Sequence, residues 1–304
     1  MTQLTKLLIF SILLVITVLL LLVNVNRIEN ALRAVVGEVI TRMNTTKEGI
    51  PVLMYHHIVE DLSRYEGNEA VVSVDQFREQ MRFLAQEGFT TLNARQLLDH
   101  LNGESVPENT VVITFDDGYE SNYIYAYPIL KEYNLTAIIH VIGAVTPGEI
   151  GGDRPGIPKI SWDQMDTMVD SGVIDIQAHS FDSHYHAKIS EDGKTKPKLA
   201  AKLWIEDEDR TETESEYLTR ITDDLKMSEQ IIEDRLCNDV IAIAYPFGVH
   251  NEIIRQVIRD NTGIKIGFTV RPGYVKPDDD PLRLNRINVS PRWTLEDFKK
   301  TVKN

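Results

Sequence analysis

The chain opens with an apolar run unlike anything after it. Residues 7–23 carry no charge, and Ser11 and Thr17 are their only polar side chains. As a helix such a run rises about 26 Å, at the lower end of what crosses a bilayer core. A continuous apolar run at an N-terminus suits lipid better than a globular interior. No small-residue cleavage pattern follows it: Asn24-Val25-Asn26-Arg27 comes next, and Ala31-Leu32-Arg33-Ala34 is late and badly spaced. The expected organisation is a retained transmembrane anchor over residues 1–25, a tether over 26–49 and one domain over 50–304. The flanking charges disagree about topology. Arg27, Arg33 and Arg42 follow the span while only Lys6 and the amino terminus precede it, and that bias alone would place the bulk of the chain inside.

After the tether, strand-like runs alternate with helix-like stretches. Strands are expected at Val52–Tyr55, 111–115, 137–142, 174–178, 240–245 and 264–270, with 111–115 a compact β-branched run that reads as buried. Residues 73–88 read as a helix with Phe77, Met81 and Leu84 on one face and Gly88 as its stop. Residues 121–133 read as another, irregular at Pro128. Ser161 and Gln164 form a capping box for a helix running to Gly172. Asn251 caps a helix ending near Gly263, and Thr294 caps a last short one. The alternation predicts an α/β fold, a parallel sheet covered by helices. Residues 188–218 are charged and weakly periodic, and read as a long insertion over one face.

Composition narrows the partners. The formal charge is −14, from 32 basic and 46 acidic residues, which argues against nucleic acid. Nine of the acids fall in residues 206–224, against Arg210 and Arg220, the pattern of a solvated face. The single Cys237 excludes an internal disulfide and a multi-cysteine zinc site.

Chemistry-bearing residues gather after predicted strands, where α/β folds place their sites. Thr114-Phe115-Asp116-Asp117-Gly118 follows one strand. Adjacent carboxylates there point in different directions, so one can hold a metal while the other faces substrate, and Gly118 permits the sharp turn. His179-Ser180-Phe181-Asp182-Ser183-His184 follows another. Two imidazoles and a carboxylate make a three-ligand site with open positions. The i, i+5 spacing would put the rings about 140° apart on a helix, so this segment is a loop. His186 competes with His184 as a ligand. Tyr245-Pro246-Phe247-Gly248 follows a third strand, and its contribution is main-chain: the Phe247 N–H could donate to a developing oxyanion. His56 and His57 follow the first strand, and either is a natural proton donor. Trp162, Trp204 and Trp293 are candidates for stacking on sugars or for the core.

These motifs, in this order, resemble those of the polysaccharide deacetylases, carbohydrate esterase family four, over residues 50–289. The chain is most similar to the poly-N-acetylglucosamine deacetylase branch. That branch shares the five-residue separation of the histidines and an early Tyr-His motif like Tyr55-His56. The motif replaces a late histidine that residues 282–287 also lack. The resemblance implies an irregular (β/α) barrel of seven or eight strands. It implies Asp116 as general base, and Asp117, His179 and His184 as ligands of one divalent metal ion. Zinc suits that set, as do cobalt, nickel and iron. His56 becomes the expected acid, and Arg286 the residue that pairs with Asp116 and keeps it ionised. The implied reaction removes acetyl groups from an N-acetylated polysaccharide outside the cytoplasm. The domain is therefore expected on the extracytoplasmic side of the cell membrane, against the charge bias. The rival readings are a peptidoglycan or chitin-oligomer deacetylase, a non-catalytic glycan binder and a phosphoesterase. The last would need further ligands for a second metal.

Overall fold

Short apolar strands buried on both faces must be covered by helices, and the chain supplies these in alternation. The computed structural model describes residues 49–149, 151 and 156–303. The elements are β1 (Val52–Tyr55), β2 (His57–Val59), β3 (Val71–Ser73), α1 (Val74–Gln86), β4 (Thr90–Thr91), α2 (Ala94–Leu101), β5 (Thr110–Phe115), α3 (Tyr127–Glu132), β6 (Ala137–Val141), α4 (Trp162–Asp170) and β7 (Ile174–Ala178). There follow β8 (His186–Lys188), β9 (Thr195–Pro197), β10 (Trp204–Ile205), β11 (Arg210–Thr211), α5 (Glu214–Arg235), β12 (Ala242–Ala244), α6 (Glu252–Asn261), β13 (Ile266–Phe268), β14 (Ile287–Asn288) and α7 (Leu295–Lys303).

The main sheet runs β13-β12-β7-β6-β5-β1-β14, with β4 paired to β5, and every pairing is parallel. It forms a half-barrel. Its two edges approach through the segment at 284–289, where Leu284 bridges to Phe268 of β13 and Ile287 then pairs with Leu53 of β1. Val111, Val112, Ile113 and Phe115 of β5 are fully buried. Burying such a side chain stabilises by about 1.5–3 kcal/mol relative to exposure. All six expected strands are present.

The expected helices appear with their caps. The Ser73 hydroxyl accepts from the Gln76 N–H, Ser161 and Gln164 cap each other's main chain, and Asn251 accepts from the Ile254 N–H. Residues 122–126 form a π-turn that passes into α3, with Pro128 inside the first turn of α3, where its missing N–H costs nothing. Two helices, α2 and α5, went unforeseen.

The region read as one long insertion is different. Residues 186–211 form two small antiparallel hairpins, β8-β9 and β10-β11. The remainder opens α5, a 22-residue helix that buries Tyr217, Ile221, Leu225 and Ile232. Its acids are not simply solvated: Glu216 pairs with Arg210 and Glu212 with Arg220, both at 2.7 Å. Asp224 is buried.

Among the described residues, no helix is long and apolar enough to cross a membrane. The anchor expected over residues 1–25, and all of the tether but Gly49, lie outside the described residues.

Candidate active site

β5 delivers the two carboxylates. Asp116 is the last residue held in strand fashion, its N–H donating to the Tyr55 carbonyl at 3.0 Å. Asp117 and Gly118 then turn through positive φ, 73° and 60°. At Gly118 a side chain would be both strained and pressed against Val141, whose Cγ1 lies 3.0 Å from where a Cβ would sit. This reversal separates the carboxylates.

Asp116 faces the interior. Arg286 donates to it twice, Nη1 to Oδ1 at 2.7 Å and Nη2 to Oδ2 at 2.6 Å. His140 Nδ1 lies 3.2 Å from Oδ1 without hydrogen-bond alignment, and His56 Nε2 lies 4.0 Å from Oδ2. Burial works against the charge on Asp116. Arg286, with the nearby His140 and His179 rings, outweighs it and holds the carboxyl well below the usual range.

Asp117 faces the histidines. Its Oδ1 lies 3.3 Å from both His179 Nε2 and His184 Nε2. The three donor atoms sit within 4.8 Å of one another. His179 presents Nε2 because its other nitrogen, Nδ1, is 2.7 Å from the Ala244 carbonyl, the outer contact typical of a metal-ligating imidazole. Asp117 Oδ1 is buried without a hydrogen-bond partner. An orphaned carboxylate oxygen facing two imidazole nitrogens fits a divalent cation. Burial, and then the His179 charge, pushes His184 down to about 4.

His186 is exposed on β8 and stands outside this group, its ring 4.7 Å from that of Phe247. Phe247 itself takes a positive φ of 57° in the turn after β12. Its ring stacks on His184, centroids 4.5 Å apart. His57 turns away from its neighbour. Its Nδ1 is 2.8 Å from Ser121 Oγ and its Nε2 3.3 Å from Tyr65 Oη. Burial pushes His56 down, while Asp116 and Asp117 pull it back up. Trp162 donates to Glu149, and Trp162 and Trp293 pack against the core. Trp204 is half-buried, with Lys188 over its ring.

Three neighbours escaped the sequence reading. His140 is fully buried and held down to about 4 by that burial. The signal was there: it is the one polar residue in an otherwise apolar strand. Lys159 donates to the Asp117 carbonyl at 2.9 Å, and its ammonium lies 3.7 Å above the Tyr119 ring. Burial pushes it down to about 8. Asp224 binds the loop between the two histidines. Nothing in the spacing singled out these last two.

A family model described as polysaccharide deacetylase matches residues 103–265. A poly-beta-1,6-N-acetyl-D-glucosamine N-deacetylase of Staphylococcus aureus is 27% identical over 220 residues, covering 72% of this chain and 68% of the relative. One of Escherichia coli is 27% identical over 265 residues, covering 84% of this chain. The chain spans only 38% of that relative's length. A solved de-N-acetylase of Aggregatibacter actinomycetemcomitans superposes with a TM-score of 0.73 at 23% identity, over 83% of this chain and 99% of that one. The last likeness is one of fold.

Proposed function

Since the chain belongs to the polysaccharide deacetylase family, we propose that it removes N-acetyl groups from a poly-N-acetylglucosamine-like polysaccharide, releasing acetate. The observation that carries this reading is the division of labour at the end of β5. Asp116 is locked to Arg286 and faces His56, while Asp117 Oδ1, buried without a hydrogen-bond partner, faces two imidazole nitrogens at 3.3 Å.

Asp117, His179 and His184 would hold one divalent ion, with zinc the best match to the donor set. The chemistry such an ion supplies is polarisation of the amide carbonyl and acidification of water. The rest falls to the chain. Asp116, kept ionised by Arg286, takes a proton from the attacking water as its oxygen bonds to the acetyl carbon. The main-chain N–H of Phe247 donates to the oxyanion. His56, with its Nε2 4.0 Å from Asp116 Oδ2, gives a proton to the amine nitrogen as the C–N bond breaks. The products are acetate and a glucosamine unit.

The relatives named for this polymer support the substrate reading. The apolar run at residues 7–23 supports a single-pass anchor at the cell membrane, and the substrate reading, against the flanking charges, puts residues 50–304 on its extracytoplasmic side as the catalytic domain. The test is acetate release from N-acetylglucosamine oligomers by the chain from Gly49 onward, with and without added divalent metal, beside Asp116→Asn. Metal-dependent release that disappears in the variant is expected. Intact metal uptake with no release from any oligomer would leave a glycan-binding relative instead.

A further inference from the structure

The two imidazoles of the candidate metal site are joined by four residues, Ser180 to Ser183, and His184 owes its place to the path these take. Ser180 turns through a φ of 73°. The loop is then gripped from three directions. The N–H groups of Gly143 and Ala144 donate to the carbonyls of Ser180 and Phe181, at 3.2 and 2.9 Å. Lys198 Nζ donates to the Asp182 carbonyl at 2.8 Å. The third grip comes from α5. Asp224 Oδ1 accepts from the Phe181 N–H at 3.1 Å, and Oδ2 accepts from the Asp182 N–H and the Ser183 hydroxyl, both at 2.8 Å.

We propose that Asp224 is a positioning residue for the metal site, fixing the loop whose course brings His184 Nε2 up to Asp117. The inference rests on the reading of Asp117, His179 and His184 as metal ligands. Three donors converging on one side chain need two acceptor oxygens, which a carboxylate has and an amide lacks. Hydrogen bonds to a charged acceptor are also about twice as strong as neutral ones. The helix behind Asp224 is a firm mount, seated in the core through Tyr217, Ile221 and Leu225. His179 has the Ala244 carbonyl to orient it, whereas His184 is 21% exposed at its side chain and leans on Phe247. The loop therefore matters more to His184. Asp224 thus does for the main chain what an outer-shell carboxylate does for a ligand ring, and loss of such partners costs about 10–100-fold in metal affinity.

The test titrates Co2+ into the detergent-solubilised, metal-free full chain, reading the visible absorption of the bound ion, for wild type, Asp224→Asn, Ser183→Ala and, as a surface control on the same helix, Asp223→Asn. Wild type and Asp223→Asn are expected to bind alike. Asp224→Asn is expected to bind about 10–100-fold more weakly with a changed spectrum. Ser183→Ala, which removes one of the three bonds, should move the same way by less. It carries the test should Asp224→Asn fail to fold. Wild-type affinity and spectrum in both variants, even with lowered thermal stability, would overturn the proposal and leave Asp224 with a structural role alone. Failure of the wild type itself to take up metal would refute the ligand assignment on which the proposal stands, a result distinct from equal binding by all four.

Discussion

Arg286 and Asp116 meet through two parallel hydrogen bonds in the closed interior of the half-barrel, though 170 residues separate them in the chain. Neither side chain is more than 3% exposed. Arg286 also donates through Nε to the Thr269 carbonyl at 2.8 Å, so the guanidinium is fixed before Asp116 is considered. Such a pair is worth little compared with apolar residues of the same volume, but removing one partner strands a buried charge.

Arg286→Met is therefore expected to lower the unfolding free energy by about 3–5 kcal/mol. The double variant with Asp116→Asn should cost less than the two single costs added together. Urea unfolding of the metal-free protein measures all four corners of the cycle. Additive costs would mean that the two groups do not stabilise each other.

The same pair gives the acid limb of stability a definite shape. Asp116 has its folded pKa held well below the carboxylate range, because Arg286 outweighs the opposing effect of burial. Its contribution is fully present above the unfolded value of about 3.9 and is lost as pH falls through that value toward the folded one. The stability difference between wild type and Asp116→Asn should thus be constant near neutrality and shrink below about pH 4. Parallel acid curves for the two proteins would contradict the assignment.

How much of this was legible beforehand follows from the kind of signal each residue carries. The sheet was readable because its strands are continuous apolar runs, and their ends marked Asp116, Asp117, His179 and Phe247. The choice between His56 and His57 was not readable from residue type. Adjacent strand residues point opposite ways, and only the packing of Tyr65 and Ser121 shows which way His57 turns. The helix at 214–235 was hidden because its acids dominate the composition, while its buried face is a sparse stripe of Tyr217, Ile221, Leu225 and Ile232. Asp224 sits on that stripe, so its long-range contact with the histidine loop left no local trace. The long pairing of Arg286 with Asp116 was expected from resemblance alone.

The two adjacent histidines should separate cleanly under mutation. His56 Nε2 stands 4.0 Å from Asp116, facing the candidate reaction centre. His57 is buried against Ser121 and Tyr65. His56→Ala is expected to lower kcat/KM for deacetylation by about 10²–10⁴-fold, the scale of a lost general acid, with little change in thermal stability. His57→Ala should show the reverse, keeping most of the activity and melting earlier. Steady-state acetate release and thermal unfolding on the same preparations decide it. A large activity loss confined to His57→Ala would exchange the roles.

Gly267 supplies a test of the wall beneath the Phe247 turn. A Cβ there would sit 2.4 Å from Tyr245 Oη and 2.8 Å from two of its ring carbons. Tyr245 cannot retreat easily. It is fully buried, and its hydroxyl donates to the Leu282 carbonyl at 3.0 Å. Gly267→Ala should therefore cost about 1–3 kcal/mol of stability through overpacking. Because Tyr245 leads directly into Pro246 and Phe247, the displaced ring is also expected to disturb the stack of Phe247 on His184 and weaken catalysis. Adding Tyr245→Phe removes the nearest clashing atom but leaves the Leu282 carbonyl without its donor, so rescue should be partial. Urea unfolding and acetate release by both variants check this. Wild-type stability in Gly267→Ala would show that the β12–β13 wall yields where the packing says it is rigid.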